Sequence, residues 1–238
     1  MLFETQLCLL CGGEAEEEES WSSLFSWAKD YCFCKNCMGR LARIDGETCR
    51  ICGRAFTENE QKFRVGDLCG DCDRWEQDDT WSGLISANVS LYSYNDFLKD
   101  IIARFKYRGD YMLAKAFGDE ARAAIKKLKP DVITPIPLSP ERLYERGFNQ
   151  AEAILEQTGF KWNLLLSRVH GEKQSKKSRS ERIHVPQVFK LAQLGDLDGC
   201  RILLVDDIYT TGSTLRHAAK LLREAGAGDI SSFTIARG

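Results

Sequence analysis

Nine of the ten cysteines fall before residue 73, and eight of them form four C-x-x-C pairs: Cys8/Cys11, Cys34/Cys37, Cys49/Cys52 and Cys69/Cys72. Such density in an intracellular chain argues for metal rather than disulfides. Two-residue spacing lets both thiolates of a knuckle reach one tetrahedral ion, and two knuckles close a four-cysteine site, the structural zinc arrangement. Glycines after Cys11 and Cys52 suit the tight turns. Four knuckles therefore imply two structural zinc ions. Sequential pairing is the simplest, with Cys8, Cys11, Cys34 and Cys37 on one ion and Cys49, Cys52, Cys69 and Cys72 on the other. Crossed pairing, and Cys32 in place of Cys34, stay open at this level, as do iron–sulfur and free-thiol readings. The segment is too poor in apolar residues to fold alone, so metal binding is expected to supply its folding energy.

The remainder is long enough for one sizeable α/β domain, since the chain has 238 residues and 43% hydrophobic content. No stretch approaches the roughly 20 apolar residues of a membrane helix. Met1-Leu2-Phe3-Glu4 lacks the pattern of a secretory signal, so the expected location is the cytoplasm. A net charge of −2 hides an asymmetry: residues 1–80 carry 9 Lys/Arg against 17 Asp/Glu, and residues 81–238 carry 24 against 18. A mildly basic second part suits a polyanionic ligand.

Within that part, residues 200–215 read C-R-I-L-L-V-D-D-I-Y-T-T-G-S-T-L. The run Ile202 to Val205 is that of a strand covered on both faces, as in a parallel sheet. Asp206 and Asp207 follow, then a hydroxyl-rich turn, Thr210-Thr211-Gly212-Ser213-Thr214, then a helical pattern through Leu215, Ala218, Ala219 and Leu222. This order puts acids and turn at the carboxyl edge of a sheet, where open α/β folds bind ligands. Turn amides and a helix N-terminus favour a phosphate. Two carboxylates beside a phosphate need another counterpart, and ribose hydroxyls or hydrated Mg²⁺ would supply it. The stretch resembles the phosphoribosyl-pyrophosphate (PRPP) motif of type I phosphoribosyltransferases. That resemblance implies Asp206 and Asp207 at the ribose and metal waters, and Thr210, Thr211, Gly212, Ser213 and Thr214 around the 5′-phosphate.

A boundary is expected in the acidic, aromatic run Trp75 to Trp81, giving a Cys-rich domain over 1–80 and an α/β domain over 81–238. Alternation over Ile85 to Tyr94 predicts a strand, and Asp96 is the expected cap of a helix running to a stop at Gly109. A second helix is expected over 111–128 and a buried strand over 131–137, where Pro135 and Pro137 admit a cis or strained peptide. Ser139-Pro140-Glu141 is a helix start, with Arg142 and Arg146 four apart, Gly147 as stop and Asn149 as the next cap. Strands are expected over 162–169, 189–191 and 230–236.

The strings F-K-Y-R-G-D-Y (105–111), P-I-P-L-S-P-E-R-L-Y-E-R-G-F-N-Q (135–150) and V-D-D-I-Y-T-T-G-S-T (205–214) resemble the ComF family. Its members join a double zinc ribbon to a type I phosphoribosyltransferase-like domain, a parallel sheet with helices on both faces. The resemblance places Pro137, Leu138 and Ser139 at a pyrophosphate, with Arg142 and Arg146 as nearby cations. Residues 170–182 read as a mobile basic loop, and the resemblance offers Lys176, Lys177, Arg179 and Arg182 as groups that close over substrate. It also implies PRPP or another 5′-phosphorylated ribose as ligand, with Mg²⁺, and a role in natural competence. Single-stranded DNA, a competence helicase and a DNA-processing protein are the partners it implies. The alternatives are an active phosphoribosyltransferase of nucleotide metabolism and a PRPP-sensing adaptor without a DNA role.

Overall fold

The computed structural model describes residues 7–15, 33–169, 188–192 and 197–238. Cys32 and the basic residues Lys176, Lys177, Arg179 and Arg182 lie outside the described residues. In chain order the Cys-rich part holds α1 (Lys35–Gly39), α2 (Glu58–Gln61), β1 (Arg64–Val65), β2 (Leu68–Cys69) and α3 (Gly70–Glu76). There follow β3 (Asn88–Ser93), α4 (Asp96–Tyr107), α5 (Leu113–Leu128), β4 (Val132–Pro135), α6 (Pro140–Arg146) and α7 (Gln150–Thr158). The last elements are β5 (Leu166–Arg168), β6 (Phe189–Leu191), β7 (Ile202–Tyr209), α8 (Ser213–Glu224) and β8 (Ile230–Arg237).

Four strands form a parallel sheet in the order β3-β8-β7-β4. Side-chain alternation on β7 sorts the core. Leu203 and Val205 pack with α4, α5 and α7 on one face. Ile202 and Leu204 pack with α8, the β5–β6 hairpin and the second cysteine group on the other. Helices therefore cover both faces, as the unbroken apolar run of β7 requires. Among the described residues, no helix is long and apolar enough to cross a membrane.

Each cysteine region shares a core with the sheet domain. The first lies on the α4/α5 face, where the Phe33 ring meets Phe117 edge-on at 5.5 Å and Arg104 donates to the carbonyls of Leu9 and Leu10 at 2.9 Å. The second lies on the α8 face: the Asn88 amide donates to Ile51 O at 2.6 Å, and its side chain to Cys52 O at 3.2 Å.

Several boundaries differ from the sequence expectation for identifiable reasons. β7 continues through both acids to Tyr209, because β8 pairs with it as far as Arg237 and the ladder outlasts the apolar run. The cap of α4 is Asn95, whose side chain accepts from the Leu98 amide, and Asp96 is the first-turn acid. The strand expected over 162–169 shrinks to β5, since only that part has a partner, β6. Among the described residues no peptide is cis.

Candidate functional site

The loops after β4 and β7 emerge side by side at the carboxyl edge of the sheet. Pro135 pairs with Val205, and the Ile136 amide donates to Val205 O at 2.8 Å, so pairing carries the P-I-P turn level with the acid pair. Pro137 is buried, Leu138 and Ser139 half-buried. Ser139 caps α6 by accepting from the Arg142 amide, with Pro140 at the first helical position. Asn149 caps α7 through the Ala151 amide and also donates to Ile136 O at 3.0 Å, which fixes the turn from behind.

The three motif strings converge here. Lys106 Nζ lies 2.8 Å from Asp207 Oδ2, with both side chains largely buried. Arg146 Nη1 is 4.0 Å from the same oxygen and donates to Gln150 Oε1 at 2.7 Å. Gln150 is buried and donates to Phe105 O, joining α6 to the end of α4 that carries Lys106. Arg142 and Arg146 part company: Arg146 turns inward and Arg142 stays exposed.

Asp206 has a different environment. The ion pairs found among the described residues go to Asp207 and none to Asp206, which accepts the Asp207 amide at 2.9 Å. Burial, then the Asp207 charge, push the Asp206 carboxyl up to about 7, against the pull of that amide, Lys106 and Arg146. Half-buried and with no cation of its own among the described residues, the Asp206 carboxylate has room for a partner, and hydroxyls or a hydrated divalent ion would fit it. Arg168 is pushed down by burial and then by the Arg142 charge, and Asp206 opposes that shift. Lys106 and Arg168 are the site groups that the sequence reading leaves out. Lys106 sits inside F-K-Y-R-G-D-Y at the last turn of a helix, a position that delivers a cation to a sheet edge. Arg168 has no comparable signal.

Beyond β7, Thr210, Thr211 and Thr214 are exposed, Ser213 is half-buried and Gly212 is buried. Gly212 has φ +77° and precedes α8, whose first amides have no intrahelical acceptor. A Cβ there would lie 2.6 Å from Tyr209 Cζ and 2.7 Å from Arg216 Nη1. Gly212→Ala is therefore expected to displace the turn, costing about 2–4 kcal/mol of stability from left-handed strain plus overpacking. Urea denaturation would read that cost, and an unchanged midpoint would contradict the packing described.

Both cysteine groups pair sequentially: Cys8, Cys11, Cys34, Cys37 and Cys49, Cys52, Cys69, Cys72, each with its sulfurs within 4.8 Å of one another. Cys11–Cys34 and Cys52–Cys69 sulfurs are 3.7 and 3.6 Å apart. A tetrahedron with bonds of about 2.3 Å has edges of about 3.8 Å, so each set fits one zinc ion and leaves no room for a multi-iron cluster.

A model of the phosphoribosyl transferase domain matches residues 147–238. The chain is 39% identical to competence protein ComFC of Bacillus subtilis over 97% of this chain and 95% of that one. It is 36% identical to ComFC of Streptococcus pneumoniae, covering 97% of this chain and 99% of that one. Competence protein F of Haemophilus influenzae is 29% identical over 86% and 96% of the two chains.

Proposed function

The chain belongs to the ComFC family of competence proteins, and on that premise we propose that its sheet-edge crevice binds PRPP, or another 5′-phosphorylated ribose, together with Mg²⁺. The observation that carries the reading is Asp206, a half-buried carboxylate with no ion-pair partner among the described residues, beside a turn of amides and hydroxyls. Asp206 and Asp207 take the ribose hydroxyls and the metal waters. Thr210 to Thr214 hold the 5′-phosphate. Pro137, Leu138 and Ser139 meet the pyrophosphate, with Arg142 and Arg146 as cations and Lys176, Lys177, Arg179 and Arg182 closing over it. Lys106 holds Asp207 in place through their ion pair. Zinc occupies both cysteine groups, and the domain boundary falls near residue 80.

The cellular role is competence-related, in handling transforming single-stranded DNA with a helicase and a processing protein as partners. Tyr107 and Tyr144 favour this reading over nucleotide metabolism. They are 72% and 91% exposed, and the Arg146 guanidinium lies 5.8 Å from the Tyr107 ring centre. Exposed tyrosines beside a cation suit stacked bases, at about 1–3 kcal/mol per base.

Calorimetric titration with PRPP tests the pocket, with Mg²⁺ present and absent. Saturable binding that needs Mg²⁺ is expected, and no heat in either arm would end the reading. Oligonucleotide binding is expected to weaken steeply with salt, and a flat salt dependence would remove direct phosphate contact.

A further inference from the structure

Arg237 closes β8 and is 4% exposed. Its Nε donates to Cys52 O at 3.1 Å and its Nη2 to Cys52 Sγ at 3.0 Å. Its Nη1 donates to Tyr209 O at 3.2 Å and Thr210 O at 3.0 Å. One guanidinium thus joins a metal-ligating knuckle to the first carbonyls of the hydroxyl turn. A second strut runs beside it. Trp75, three residues after Cys72, donates Nε1 to Thr211 O at 3.0 Å. The fully buried Arg216 donates to Tyr209 Oη at 2.8 Å, lies 3.5 Å from Glu76 Oε1 and sits 4.9 Å from the Trp75 ring centre.

Three consecutive carbonyls, of Tyr209, Thr210 and Thr211, are therefore fixed by donors. In a planar trans peptide the N–H points opposite to the C=O of the preceding residue. Holding these carbonyls toward Arg237 and Trp75 turns the amides of Thr210, Thr211 and Gly212 away from the cysteine group, toward the side open to a phosphate. The donors in turn keep their places only while the two knuckles are tied to each other. The segment between Cys49 and Cys72 holds just β1, β2 and two short helical turns, so an ion shared by the four cysteines would be what ties them.

We propose that Arg237 and Trp75 are positioning residues that couple the second cysteine group to the phosphate turn, so that ion and phosphorylated ribose each strengthen the other's binding. The coupling rests on the phosphoribose reading above and goes beyond it by making the ion part of the binding device rather than remote scaffold. By linkage the effect is reciprocal, and ~10-fold is the scale expected of such coupling.

The test uses the full chain with both ions bound and PRPP with Mg²⁺ as the probe. Metal release to a chromophoric chelator that ignores Mg²⁺ is followed with and without PRPP. One of the two ions is expected to leave ~10-fold more slowly when PRPP saturates, the other at an unchanged rate. Trp75→Phe, which keeps the ring and removes the donor, and Arg237→Met, with metal content verified, are expected to weaken PRPP binding and abolish the protection. Should Arg237→Met not fold, the wild-type release rates and Trp75→Phe decide. If PRPP binds the wild type yet both ions leave at ligand-independent rates, the coupling falls and the phosphoribose reading stands. If the wild type binds no PRPP, both fall.

Discussion

Cys52→Ala, or stripping of the second cysteine group by a strong chelator, is expected to unfold residues 49–76 and to loosen the α8 face of the sheet domain. The four sulfur-bearing residues are 0–2% exposed and Ile51 is the one fully buried aliphatic between them, so no sizeable apolar core replaces the ion. Structural zinc contributes about 10–16 kcal/mol in small modules, as much as the whole stability of an ordinary domain. The loss would spread, because Trp75 and Trp81 pack in the same cluster as Leu204, Tyr209 and Leu215. Tryptophan emission should shift to the red with loss of the cooperative melt. A chelated protein with an unchanged melting temperature would show that the sheet domain does not lean on this group. The first group should lose its ion earlier, since Cys11 is exposed and Cys34 half-buried.

These contrasts show which physics a single sequence exposes. C-x-x-C spacing is local, so four knuckles and two sites could be expected before any tertiary structure was known, whereas their sequential pairing is decided by the fold. The apolar run of β7, the caps Ser139 and Asn149 and the stop at Gly147 are local too, and each stands where the pattern puts it. What local pattern misses are contacts set by packing. Arg142 and Arg146 look equivalent at helical spacing, yet only Arg146 turns to Asp207, because Gln150 receives it. Lys106 and Arg237 are both remote from Asp207 along the chain; Lys106 carries only the general signal of a cation at a helix end, and nothing in the neighbourhood of Arg237 marks it as a support of the turn. The role of Arg237 follows from where parallel strands β7 and β8 end together, and that of Lys106 from where α4 ends against them. The acids' membership of β7 was equally hidden, since backbone pairing with β8 does not depend on side-chain polarity.

Asp206→Asn should separate stability from binding in opposite directions. An unfolded aspartate titrates near 3.9, whereas burial and the Asp207 charge raise Asp206 to about 7 in the fold. Between these values the folded state holds a proton that the unfolded chain has shed. This group's stabilising contribution is therefore full below about pH 4 and is lost as pH rises through about 7. The amide cannot ionise, so the variant should be more stable than the wild type at pH 8, on the order of 2 kcal/mol, and the gap should close toward pH 4. Binding runs the other way. Ribose hydroxyls and metal waters need the anion, so wild-type affinity for PRPP with Mg²⁺ should rise ~10-fold from pH 6 to pH 8 as Asp206 sheds its proton. The variant should bind ~100-fold more weakly at pH 8, having lost charge-assisted hydrogen bonds. Phosphate groups of the ligand also titrate in this window, but they do so equally for both proteins. The informative quantity is therefore the ratio of wild-type to variant affinity against pH, read beside the two melting curves. A ratio that stays flat would mean that Asp206 meets no ligand, and that its burial belongs to the fold alone.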